Sequence, residues 1–159
     1  MEVQKIDAPA DSLIRTLQLQ DNIFHNAFED ITPEQALERP NLQTNHYNWL
    51  LGHVTTCRYQ LANAIGLQLK DPLDDLYFKP IGNYPYKSLD AIREAWKQVS
   101  GPLSEHLANF EQEDLYVQAT GMPVARIDLL VFYLYHEAYH LGQMGILRKV
   151  LGLNAMQSN

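Results

Sequence analysis

Apolar residues return at every third or fourth position through most of this chain and almost nowhere alternate. Between Ser12 and Phe28, the residues Leu13, Ile14, Leu17, Phe24, Ala27 and Phe28 share one side of a helical repeat, which predicts an amphipathic helix. Thr32-Pro33-Glu34-Gln35 reads as a helix start, with Thr as cap, Pro in the first turn and Gln at the third position. Pro40 keeps that helix short. A second long helix is predicted from about Asn45 to Ile65, ending at Gly66, which suits a left-handed cap. Residues 67–87 hold prolines and tyrosines and show no period. Ser88 caps a third long helix reaching Phe110, in which Gly101-Pro102 predicts a kink or break. After the polar stretch EQEDLYVQATGM, a fourth helix begins near Pro123 and runs to Leu151, with Gly152 as its stop.

Four long amphipathic helices and no credible strand pair predict an all-α fold, a four-helix bundle, in a single domain spanning residues 1–159. At ~3.3 Å per extended residue, the 67–87 link is long enough to run back along a helix of ~30 Å. The second and third helices are therefore expected to lie parallel, and a link of this length often covers a site.

Composition acts mainly by exclusion. Asp and Glu number 19 against 12 Lys and Arg, for a formal charge of −7, and Arg148-Lys149 is the only adjacent basic pair. Phosphate backbones reward dense basic clusters, so no nucleic-acid partner is expected. The longest apolar run, Ile127 to Tyr135, is interrupted by Asp128 and is too short to cross a bilayer, so no membrane partner is expected either. The N-terminal MEVQKIDAPADSL lacks the layout of a signal peptide, and a lone Cys57 rules out an intrachain disulfide. Both point to the cytoplasm.

The six histidines change the picture most. His136-Glu137-Ala138-Tyr139-His140 fits the H-E-x-x-H pattern of zinc peptidases. Two histidines four apart share one helix face, with Cβ atoms ~5–6 Å apart, and can reach one metal at ~2.0–2.1 Å each. With this histidine content, an H-x-x-x-H pair arises by chance roughly one time in five. The peptidase reading fails on its third ligand: Gln143 and Ile146 stand where the metzincin pattern has Gly and His, and nothing after His140 is Asp, Glu, His or Cys. The third ligand must come from upstream, and His53 is the best candidate, on the helix face that also carries Trp49, Cys57 and His46. Gly52 beside it costs roughly 1 kcal/mol of helix stability, which calls for a close approach or room for a ligand.

The stretches N48-W49-L50-L51-G52-H53 and H136-E137-A138-Y139-H140-L141-G142-Q143 together resemble the DinB/YfiT-like superfamily of bacterial metal-dependent helical bundles, over nearly the whole chain. The resemblance implies an up-down-down-up four-helix bundle and a homodimer. It also implies one divalent metal per chain, zinc or nickel, bound by His53, His136 and His140. Members with assigned activities are thiol S-transferases or isomerases using bacillithiol, mycothiol or glutathione.

Around these ligands several roles stay open. Glu137 is a base acting on water at the metal, a partner of a ligand, or an interhelical contact. Trp49, Tyr133, Tyr139 and Gln143 lie three or four residues from a ligand and are expected to line or bond the site. Cys57 is either a small buried thiol, the reading preferred, or a soft fourth ligand. His46 is expected at the start of its helix, against solvent or the pocket rim, and His25 and His106 at the surface or in packing. The leading functional expectation is a metal-dependent thiol S-transferase joining a small-molecule thiol to an electrophile. The alternatives are a metal-dependent hydrolase with Glu137 as base, and a stress-related metal-binding protein without catalysis.

Overall fold

The computed structural model describes residues 9–157, so most of the N-terminal stretch read for a targeting signal lies outside the described residues. These form five α-helices: α1 (Pro9–Asn26), α2 (Pro33–Leu37), α3 (Tyr47–Ala64), α4 (Leu89–Ala108) and α5 (Arg126–Val150). Two 3₁₀ turns, Asp74–Phe78 and Gln112–Tyr116, interrupt the links on either side of α4. No strand forms among the described residues; Gln118 and Ala125 make an isolated bridge.

The helical periodicity sorts residues as expected. Leu17 and Phe24 of α1, Leu51, Val54 and Leu61 of α3, Ile92, Trp96 and Leu103 of α4, and Leu130, Leu134 and Met144 of α5 meet in one core. Each such side chain contributes about 1.5–3 kcal/mol by leaving water. Helix α3 packs on both α4 and α5, and α1 packs on the same two. The short α2 and the Asp74–Phe78 turn both lie against α3.

Local signals set the helix ends. Thr32 Oγ1 accepts from Gln35 N at 3.2 Å while Gln35 Oε1 accepts from Thr32 N at 3.0 Å, a complete capping box. Gly66 takes φ +119°, and Leu67 N closes on Ala62 O at 3.0 Å, ending α3. Ser88 Oγ accepts from Ala91 N at 3.2 Å to start α4.

Three expectations are corrected. Helix α4 runs through Gly101-Pro102 without the break that was one of the two expected outcomes. Pro102 removes the bond to the carbonyl of Gln98, but Gln98 and Gly101 are exposed, so this lies on the solvent side of the helix while Val99, Leu103 and Leu107 stay buried. Helix α5 begins at Arg126 rather than near Pro123, because Ala119 N–Val124 O and Arg126 N–Val117 O bonds (2.8 and 3.0 Å) close residues 120–124 into a turn. His46 is 4% exposed and is the cap of α3: its Nδ1 accepts from Trp49 N at 2.9 Å, and its ring meets Tyr86 edge-on. Among the described residues, no helix is long and apolar enough to cross a membrane.

Candidate metal centre

The residues of the Asn48–His53 stretch grip the 67–87 link from one side of α3. Asn48 Nδ2 donates to Lys87 O at 2.9 Å, and Trp49 Nε1 donates to Lys79 O at 3.1 Å. The Tyr77 hydroxyl donates to Asn48 Oδ1 at 3.2 Å and accepts from Lys87 N at 3.1 Å. Gly52 is explained by the ring of Tyr77: a Cβ there would sit 2.1–2.4 Å from three of its atoms, closer than any real contact. This seating brings the Tyr77 carbonyl to His53, whose Nδ1–H donates to it at 2.8 Å. Trp49 stacks on His53, its ring 4.5 Å away and tilted by only 13°.

Helix α5 presents His136 and His140 to the same spot. His136 Nε2 lies 3.3 Å from His53 Nε2 and 3.1 Å from His140 Nε2. Because Tyr77 O can only accept, the proton of His53 is on Nδ1 and its Nε2 is a bare lone pair. His140 is set the same way: its Nδ1–H donates to Gln143 Oε1 at 2.7 Å, and Gln143 Nε2 donates to the Tyr139 hydroxyl at 3.2 Å. Two bare lone pairs therefore face the third ring nitrogen, and a single proton on His136 Nε2 can serve only one of them. A cation satisfies all three. A tetrahedral ion with nitrogen at ~2.05 Å spaces its ligands about 3.3 Å apart, close to the two separations made by His136.

Burial keeps the rings neutral. It lowers His53 to about 4, against the bond to Tyr77, which favours protonation, and with help from the neighbouring rings. It also lowers His136 and His140 below the ordinary histidine value. Neutral imidazole is the ligating form. Cys57 joins the group: its Sγ is 3.8 Å from His53 Nε2, and the ligand atoms of His53, Cys57 and His136 all lie within 4.8 Å of one another, close enough to hold a metal ion. His53, Cys57 and His136 thus form a group compact enough for an ion, with His140 next to His136. Burial, with Glu137 and Asp71 adding to it, pushes the Cys57 thiol up to about 12.

The surrounding residues divide. Trp49 and Gln143 touch ligands directly, as does Tyr139, whose exposed ring is edge-on to His140 at 5.1 Å. Tyr133 lies edge-on to His136 at 6.4 Å and spends its hydroxyl on Gln60 Oε1. Glu137 takes the interhelical role among its three open readings. It is 1% exposed, and both carboxylate oxygens accept from Arg58 of α3, from Nε at 2.8 Å and Nη2 at 2.7 Å. Buried and paired with a guanidinium, this carboxylate is turned to Arg58 rather than to water at the histidines, which argues against Glu137 as the base of the hydrolase alternative. Arg58 also donates to Asp21 and Ser100 and lies 3.7 Å over the Trp96 ring. His25 is exposed, while His106 bonds Ile65 O and packs on Phe110.

Sequence reasoning missed Tyr77, Arg58 and Phe78, whose ring is 5.8 Å from His53. An arginine inside an otherwise apolar helical face was a usable signal for the first-order partner of Glu137. Nothing in the aperiodic 67–87 segment marked Tyr77. A cleft of about 460 Å³ between residues 40–45 and the end of α5 reaches the cluster only through Gln143.

A family model described as the DinB superfamily matches residues 16–144. The fold resembles the crystal structure of a DinB-like protein from Bacillus cereus ATCC 10987, with a TM-score of 0.74 at 18% identity over 91% of this chain and 94% of that chain. At that identity the likeness carries the fold alone. No curated protein matches the sequence significantly.

Proposed function

This chain belongs to the DinB superfamily, and from that premise we propose that it is a cytoplasmic metal-dependent transferase acting with a low-molecular-weight thiol and an electrophile. The observation that carries the reading is the convergence of three ring nitrogens, two of them fixed as bare lone pairs by Tyr77 and Gln143. We assign His53, His136 and His140 as the ligands of one divalent ion, zinc or nickel. Bound there, the ion supplies Lewis acidity that lowers the pKa of a thiol presented to it.

The remaining work falls to the chain. The Tyr77 carbonyl and Gln143 hold the tautomers of His53 and His140, so the ligand atoms need no reorganisation. Trp49 covers one face of His53 and keeps water from it. Phe78, Phe132 and Tyr139 stand exposed around the imidazoles and offer an apolar approach for an electrophilic carbon. A homodimer fits the apolar residues that α5 leaves exposed, among them Tyr135, Ile146 and Val150, and sedimentation tests it.

Elemental analysis of freshly purified protein is the first test. Wild type is expected to carry one divalent ion per chain, and His53→Ala, His136→Ala and His140→Ala each to lose it, whereas His25→Ala and His106→Ala retain it. Circular dichroism checks that each variant folds. A folded His53→Ala protein with its full metal complement refutes the site. For the activity, zinc- and nickel-loaded protein is assayed against a panel of thiols and electrophiles, and turnover no greater than in metal-free controls refutes the transferase.

A further inference from the structure

We propose that the start of α3 carries a second small-molecule site, a cleft that takes a small carboxylate with an apolar body and binds it through His46 and Arg39. The proposal goes beyond the metal centre and does not rest on it.

A cavity of about 340 Å³ opens between the end of α2 and the 67–87 link. That volume falls within the range of small-molecule pockets, about 300–1,000 Å³. Leu37 and Ile81 give it apolar walls, and Tyr84 and Tyr86 meet edge to face beside them, their ring centroids 6.0 Å apart. None of the described residues that line it is acidic.

His46 is the first donor. Its Nδ1 accepts from Trp49 N at 2.9 Å, so the proton of the ring is on Nε2. Burial, helped by the charge of Arg39, lowers its pKa to about 4, which leaves the ring neutral with that single N–H. The residue is 4% exposed and lines the cavity, yet among the described residues nothing accepts from Nε2. A buried N–H without an acceptor is costly, and Ser, Thr, Asp and Asn are the preferred caps. What the imidazole adds to the cap is a donor at the cavity wall.

Arg39 is the second donor. Its Nε donates to Thr44 O at 2.6 Å and its Nη2 to Leu42 O, which fixes the guanidinium plane and leaves Nη1 without an acceptor among the described residues. Lys79 adds a positive charge near the rim, its Nζ 6.0 Å from the centre of the Tyr84 ring. One carboxylate supplies what this arrangement lacks: two acceptor oxygens for two donors, and a negative charge beside Arg39. The leucine, isoleucine and tyrosine side chains are left for the rest of the molecule. His46 precedes His53 by seven residues, so the cleft lies about 10 Å along α3 from the imidazole cluster and shares none of its rings.

Benzoate, phenylacetate and hexanoate serve as probes, titrated by calorimetry into full-length protein stripped of metal, so that no ion can hold the carboxylate. At least one acid is expected to bind saturably, and its amide to bind about tenfold to hundredfold more weakly, the worth of hydrogen bonds to a charged group. His46→Asn keeps a side-chain acceptor for the Trp49 N–H and loses the ring N–H; it should weaken the same acid about tenfold with the circular dichroism unchanged. His46→Asp, which also caps but sets a negative charge in the cleft, should abolish binding, and Arg39→Gln should weaken it at least tenfold. The proposal is overturned if no acid binds wild type, if the amide binds as tightly as the acid, or if the folded variants bind like wild type. Phenyl phosphate binding more tightly than every carboxylate also overturns it. Should a variant fail to fold, the comparison of acid with amide in wild type decides alone.

Discussion

Replacing Gly52 with alanine tests the link between the α3 motif and the site. A Cβ at this position would stand 2.1, 2.2 and 2.4 Å from Cε1, Cδ1 and Cζ of Tyr77. Favourable carbon contacts begin near 3.5 Å, so the ring must retreat by about 1 Å or more. Overpacking of this kind costs roughly 1–3 kcal/mol. The ring cannot retreat freely, because its hydroxyl is held by Asn48 Oδ1 and Lys87 N, bonds worth about 1 kcal/mol each. Against this, alanine gains about 1 kcal/mol over glycine within a helix. The balance is a loss of about 3 kcal/mol, read as a lower urea midpoint at unchanged slope. Moving Tyr77 also takes its carbonyl away from His53 Nδ1, which should weaken zinc binding by about 10–100-fold in a chelator competition. Gly142→Ala is the control: its Cβ meets nothing within 4 Å, so the protein should be stabilised by up to ~1 kcal/mol with zinc affinity unchanged. A Gly52→Ala protein as stable and as tight for zinc as wild type would falsify this account of the glycine.

Glu137→Ala leaves the Arg58 guanidinium, whose side chain is 0% exposed, with only the partly exposed Asp21 carboxylate; urea melts should show a loss of about 3 kcal/mol, and a loss under 1 kcal/mol would reject the buried pair. Burial holds His46 and His53 near 4 and lowers His136 and His140, so below pH 6.5 the unfolded chain binds more protons than the folded one. The metal-free protein should keep its full histidine-linked stability above pH 6.5 and lose it progressively as pH falls towards 4; a flat profile of melts across that range contradicts the burial of these rings. Thr32→Ala removes the acceptor of the α2 capping box and should cost about 1 kcal/mol in the same melts, with metal content unchanged.

Helices α1, α4 and α5 were legible because each buries one stripe, and a stripe is a pattern of residue types; α3 is buried on nearly every side, and its end signal made it legible. The cap at Gly66 was legible for a similar reason: a residue at φ +119° strains any side chain with a Cβ. Pro102 shows where the local rule gives way. A proline costs a helix least where the freed carbonyl faces water, and exposure depends on how α4 sits in the bundle, which no local pattern records. His46 fails differently. Histidine is not a usual cap, and its burial comes from Tyr86 in the aperiodic link folding over it. In the site, His136 and His140 could be paired from spacing alone, since one helix carries both. Joining them to His53 required a second motif, and the approach of Cys57 required the side-to-side register of α3 and α5, which only packing determines.

That register has a physical source in the same five residues that imitate a peptidase motif. Successive helical residues turn by about 100°, so the face of α5 that shows His136 and His140 to His53 turns Glu137 toward the bundle interior. There it meets Arg58, five residues beyond His53 on α3, in two parallel N–H···O bonds. Desolvating such a pair offsets most of its Coulomb attraction, so its net contribution to stability is small. Its geometry is another matter. A planar fork bound at both prongs resists rotation of α5 about its axis and sliding along α3. Asp21, Ser100 and the Trp96 ring fix the other side of the guanidinium, tying α1 and α4 to the same point. A roll of α5 would carry His136 Nε2 away from His53 Nε2, and their 3.3 Å separation is the spacing a shared ion demands. Glu137 therefore acts on the centre through the backbone that carries its neighbour, without touching anything bound there.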